Sequence, residues 1–161
     1  MSVTDEFLEN NATFATTFSG PLSLPPKRRL AVVACMDARM DIFSILGLRP
    51  GDAHVIRNAG GVITEDVIRS LVISQRLLGT RTVMLIHHTD CGMLTFTDDE
   101  FKHEIEEETL IRPAWSPESF KSLDDDVRQS IRRIETSPFV PYTRIRGFVF
   151  DVATGNLNEV K

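Results

Sequence analysis

The sequence has only two cysteines among 161 residues, too few to build a disulfide scaffold. It also lacks a long hydrophobic run. VMLI (83–86) and FVF (148–150) fall far short of the ~20 apolar residues that cross a bilayer. The opening MSVTDEFLENN contains acids and no base, so the basic, apolar pattern of a secretory leader is missing. Positive charge is in deficit as well. Eighteen Lys and Arg against 23 Asp and Glu leave a net charge of −5, which excludes a general electrostatic attraction to nucleic acid or anionic lipid. What is present is an ordinary globular balance of 42% hydrophobic and 25% charged residues, which argues against disorder and collagen-like structure. The expectation is a soluble, cytoplasmic chain with one domain over 1–161 and an N-terminal arm and linker over 1–27, as the length favours.

Patterning along the chain predicts an α/β fold. Residues 4–18 read as a helix with Thr4 as N-cap, acids in its first turn, and Phe7, Leu8, Phe14 and Phe18 as its apolar positions. Three prolines and a glycine in GPLSLPPKRR then break regular structure. LAVVA (30–34) reads as a strand buried on both faces, 40–47 as a short helix, and 53–57 as a second strand. A helix is expected from the glycines at 60–61 to Gly79, and TVMLIHH (82–88) forms a third strand. Thr97 to Glu100 form a capping box, and Ser116-Pro117-Glu118 mark the start of a helix running to about Glu135. A hairpin closes the chain: strand 146–152, a turn at 154–156, and a short edge strand. The predicted architecture is a central, mostly parallel sheet flanked by helices, with a C-terminal antiparallel hairpin and an N-terminal helical arm.

Parallel sheets of this kind place ligands beyond the carboxyl ends of their strands, and both cysteines lie there. Cys35 follows the first strand; His88 and Cys91, three apart, follow the third. Two thiolates and an imidazole suit zinc and leave a fourth position open, while a set this soft disfavours magnesium or calcium. The competing reading is that both cysteines are small core residues. A phosphatase-type nucleophile is excluded, because Asp41 and Thr97 stand where an arginine six residues on would be needed. A disulfide is disfavoured in a reducing compartment. His87, His54 and His103 are expected to be structural. Asp37 can either reach the same metal as a fourth ligand, closing the site, or pair with Arg39, whose fixed charge binds a carboxylate through two parallel hydrogen bonds.

CMDAR (35–39), HVIRNAGG (54–61) and HTDCG (88–92), in this order and spacing, resemble the β-class carbonic anhydrases, most closely the compact bacterial and archaeal branch with its short mycobacterial-type members. The resemblance implies one zinc ion on Cys35, His88 and Cys91, with Asp37 and Arg39 as the catalytic dyad. It implies reversible hydration of carbon dioxide to bicarbonate and a proton by metal-bound hydroxide, in a homodimer that some members pair into tetramers. Gly60, with Gly61, is expected to let the backbone approach the cleft as a substrate-side element, against a plain turn role. The chain departs from the family in carrying Ala38 where serine is common. Two other functions share these residues: hydrolysis of carbon disulfide or carbonyl sulfide, and a non-catalytic zinc-binding dimerisation domain.

Overall fold

The computed structural model describes residues 2–161. Five strands form one sheet in the order β2-β1-β3-β4-β5. They are β1 (Leu30–Cys35), β2 (Ala53–Asn58), β3 (Thr82–His88), β4 (Arg144–Phe150) and β5 (Leu157–Val160). The first four run parallel, and β5 lies antiparallel on the β4 edge. The chain leaves β1 for β2 on one side and reaches β3 on the other, so a topological switch point lies between β1 and β3. The register is level there: Ala34 lies opposite Ile86, and His88 opposite Phe150.

Alternation along β1 divides the core. Ala31 and Val33 join Val83 and Leu85 beneath Val67 and Leu71 of α3 (Glu65–Arg76) and Ile134 of α5 (Leu123–Glu135). Val32 and Ala34 face the other way, toward Ile42 of α2 (Ile42–Leu46), Met93 and Phe120, and Cys35 joins that cluster where the strand ends. Five of the six β1 residues are therefore buried, which explains the unbroken apolar run. Each large aliphatic side chain in these layers contributes about 1.5–3 kcal/mol on removal from water.

Four helices depart from the expected bounds, and two of them also end early, the first at Ala15 and α3 at Arg76. The first helix, α1, spans Val3–Ala15 and is capped by Ser2, because the Ser2 backbone N–H donates to the Asp5 carboxylate and completes a capping box two residues earlier than Thr4 would. The next, α2, is shorter than 40–47, starting after Asp41, which accepts from the Ser44 N–H. The glycines at 60–61 lie in a tight turn ahead of α3, which begins after its Thr64 cap. Ser116 does not start α5; that cap is Ser122. Instead Asp98, at the start of α4 (Asp98–Thr109), accepts from Ser116 Oγ and from the Glu118 and Ser119 N–H groups. Glu118 sits at φ 62°, a conformation no helix can continue. The Thr97–Glu100 capping box forms as predicted, and β4 begins at Arg144, two residues early.

Two features bear on assembly and placement. No residue of α1 is buried, and Phe7, Leu8, Phe14 and Phe18 all face outward. Among the described residues, no helix is long and apolar enough to cross a membrane.

His87, on β3, is fully buried, and its Nε2 donates to Asp126 Oδ2 of α5 at 2.6 Å. Its ring lies 5.4 Å from that of Phe120. An Asp126→Ala change strips a buried donor of its partner, and stability in chemical denaturation should fall by about 1–3 kcal/mol. An unchanged midpoint would show that the pair does not anchor α5 to the sheet.

Candidate metal centre

At the ends of β1 and β3 the three sequence-selected ligands come together. One donor atom each from Cys35, His88 and Cys91 lie within 4.8 Å of one another, and all three residues are buried. The parallel pairing of β1 with β3, with Ala34 opposite Ile86, brings together the two strand ends that carry Cys35 and His88. The chain then turns sharply through Asp90, at φ 56°, and brings Cys91 back to the same point. Both thiols are free.

The donor set fits a metal cation. His88 Nδ1 bonds the Thr89 carbonyl at 2.8 Å, which makes Nδ1 the protonated nitrogen and leaves Nε2 as a bare acceptor. Nε2 is buried with no protein partner, an arrangement that costs free energy unless something fills it. The lone pair of Nε2 and two sulfurs form a borderline-soft ligand set. The thiols already form an unequal pair. A hydrogen bond from Cys91, opposed by burial and helped by the neighbouring His88 ring and then by the Asp37 and Gly60 backbone N–H groups, pulls the Cys35 thiol well below its ordinary range. The same contact with Cys35, reinforced by burial, pushes Cys91 up. Cys35 is thus the sulfur most ready to serve as a thiolate.

Asp37 stands at the edge of this cluster, with Oδ2 3.7 Å from His88 Nε2. It is held by Arg39 rather than left loose. Oδ1 accepts from the Arg39 backbone N–H at 2.8 Å and from Nε at 3.0 Å, and Oδ2 accepts from a guanidinium nitrogen at 2.8 Å. These bonds hold the Asp37 carboxyl well below the usual carboxylate range.

Two residues that sequence reasoning missed complete the frame. Asp90 grips the far edge of Arg39, accepting 2.7 Å and 3.0 Å bonds at its carboxylate and its carbonyl. Arg57 reaches across from β2 to the carbonyls of Cys35 and Asp37, at 2.9 Å and 2.7 Å. Asp90 lies inside HTDCG, an acid between two proposed ligands, and that position was the available signal. Arg57 lies inside HVIRNAGG, which was the available signal, but it alternates along a strand like any exposed basic residue and its spacing does not point to the Cys35 turn.

A cleft of about 310 Å³ opens onto the cluster, with Asp37 on one side and Met93 and Phe96 supplying apolar wall. A larger groove of about 780 Å³ between α3 and α5 contains none of these groups, so chemistry rather than size locates the site. Gly60 is buried on the cleft at φ 82°. A Cβ there would come within 2.9 Å of Met93 and 3.1 Å of Phe120. The other histidines lie elsewhere: His54 bonds Ser74 at 2.7 Å, and His103 faces Glu107 on an exposed helix.

Gly61, at φ 70°, lets the turn press against β1: a Cβ would meet the Cys35 nitrogen at 2.8 Å, the Ala34 carbonyl carbon at 3.0 Å and the Ile86 oxygen at 3.2 Å. These are backbone atoms that cannot swing aside. Gly61→Ala should therefore cost roughly 3 kcal/mol or more, strain and overpacking together. Gly155→Ala, also at positive φ but in open space, should cost only about 1–2 kcal/mol. Denaturant titration of both variants checks this, and equal losses would contradict the close approach.

Comparison with known proteins places this geometry in context. The family model described as carbonic anhydrase matches residues 30–125. Beta-carbonic anhydrase 1 of Mycobacterium tuberculosis is 65% identical over 161 residues, covering 99% of each chain. The crystal structure of carbonic anhydrase from Streptococcus mutans superposes with a TM-score of 0.94 at 41% identity, over 100% of this chain and 99% of that one. A carbon disulfide hydrolase of Acidianus is 35% identical, spanning 84% of this chain and 79% of its own.

Proposed function

The chain belongs to the β-class carbonic anhydrases, and from that membership we propose that it hydrates carbon dioxide reversibly to bicarbonate and a proton, with one zinc ion held by Cys35, His88 and Cys91. The observation that carries the reading is the convergence of those three buried donors beside a carboxylate already fastened to an arginine. Bound there, zinc would act as a Lewis acid and bring the pKa of water from 15.7 to about 7.

The protein's own groups have distinct roles. Asp37 is the orienting base. Its three bonds from Arg39 keep it ionised, so it accepts a hydrogen bond from the attacking water and aims the oxygen lone pair at carbon. One C–O bond forms, a C=O π pair moves onto oxygen, and the proton passes to buffer. Arg39 also keeps Asp37 turned away from the sulfur and nitrogen donors. Released, Asp37 would become a fourth ligand, adding a negative charge and closing the site. Met93 and Phe96 suit an apolar, linear substrate by excluding competing water. Gly60 contributes the absence of a side chain, which lets Met93 and Phe120 pack directly against its turn, with Met93 forming the cleft wall on the substrate side.

In zinc-loaded protein, Arg39→Ala should abolish carbon dioxide hydration in stopped flow while metal analysis still finds zinc. Cys35→Ser should lose both. Unaltered hydration by the Arg39 variant would remove Arg39 from the mechanism, whereas zinc-loaded, unsubstituted protein without hydration activity would support a non-catalytic zinc domain. The Acidianus relative keeps carbon disulfide hydrolysis as the second reading. Turnover of carbon disulfide with none of carbon dioxide would reverse the order.

We also infer a homodimer in the cytoplasm, where a reducing environment keeps ligand thiols free. Four outward phenylalanine and leucine side chains on and just after α1 form an apolar surface that a lone chain leaves wet, and β2 ends the sheet with an open edge. Sedimentation equilibrium should give about twice 18.1 kDa, or four times if dimers pair. A monomer mass would overturn the assignment.

A further inference from the structure

We propose that Asp90 is a positioning residue: it holds the Arg39 guanidinium from the side opposite Asp37 and thereby keeps the Asp37 carboxylate off the Cys35–His88–Cys91 cluster. The inference rests on reading that cluster as a metal centre. Arg39 spends its donors on two carboxylates. Nε and one terminal nitrogen hold Asp37, the same terminal nitrogen also reaches the Asp90 carbonyl at 3.0 Å, and the other terminal nitrogen meets Asp90 Oδ2 at 2.7 Å.

Asp37 follows Cys35 by two residues, and Asp90 lies between His88 and Cys91. One guanidinium therefore ties together the two chain segments that supply the donors. The tie is not there for stability: Asp90 is 78% exposed, and ion pairs so open to water stabilise a fold very little. What it fixes is orientation. With both edges occupied, the planar guanidinium has one pose, and that pose turns both Asp37 oxygens toward Arg39. The margin is small, because Asp37 Oδ2 already lies 3.7 Å from His88 Nε2. The turn itself favours an aspartate. At φ 56° most side chains are strained, whereas Asp and Asn tolerate the left-handed region.

The test uses the full-length, zinc-loaded protein. Asp90→Ala should lower kcat for carbon dioxide hydration roughly tenfold with KM changed less than twofold, the signature of a misplaced catalytic group. Release of zinc to an excess of chelator should become severalfold slower, because the freed Asp37 adds a fourth ligand. Asp90→Asn, which keeps an acceptor oxygen and the left-handed turn, should restore most of kcat. In an Arg39→Ala background, adding Asp90→Ala should leave the zinc-release rate where it was, since Asp90 acts only through Arg39. Unchanged kcat in Asp90→Ala overturns the inference. So does faster zinc release accompanying the loss of activity, which would mean a loosened loop. If the unsubstituted protein itself binds no zinc, the metal reading fails instead, and the two failures are thereby told apart.

Discussion

Everything at the site depends on one buried acceptor. His88 Nε2 sits beneath the surface with no protein donor to meet it, and its ring cannot turn to find one because Nδ1 is committed to the Thr89 carbonyl. Burial of an unpaired polar atom is a penalty that folds ordinarily avoid. Here it stands beside two free thiols whose protons are already unequally shared. A cation at the shared point would meet that acceptor and bond both sulfurs. The sheet topology, the tight glycine turn and the arginine network all hold those donors in place.

The supporting frame works by backbone and charge rather than by bulk. Arg57 secures the carbonyls on either side of Met36, so the turn carrying Cys35 and Asp37 cannot drift from β2. Gly61 brings its own turn against the same strand end. Behind the cleft, Phe120 packs between the Gly60 turn and the His87 ring, and its N–H bonds the Met93 carbonyl at 3.2 Å. The His87–Asp126 pair thus reaches the cleft wall through one aromatic ring. Adjacent histidines on β3 divide the work by strand alternation: His87 faces α5, and His88 faces the sulfurs.

Much of this was legible in the chain itself. The buried runs at 30–34 and 82–88 marked the central strands, and placing ligands at strand ends pointed to Cys35, His88 and Cys91 before any coordinates. Short motifs repeat such geometry because parallel pairing leaves few alternatives. Contacts between distant segments were not legible. Ser116 carries a strong local capping signal, but Asp98, 18 residues earlier, captures its hydroxyl and the helix starts at Leu123. Asp90 and Arg57 gain their roles only when loops from different strands meet, and local propensity has no access to that. The start of α1 was misplaced for a smaller reason: Ser2 and Asp5 form a reciprocal pair that Thr4 cannot match.

The most direct test of the account is zinc-edge X-ray absorption on the purified protein. The account predicts one zinc per chain with two sulfurs near 2.3 Å and one nitrogen at about 2.0–2.1 Å, completed by a single light donor. A zinc shell without sulfur, or protein that holds no stoichiometric metal, would contradict it.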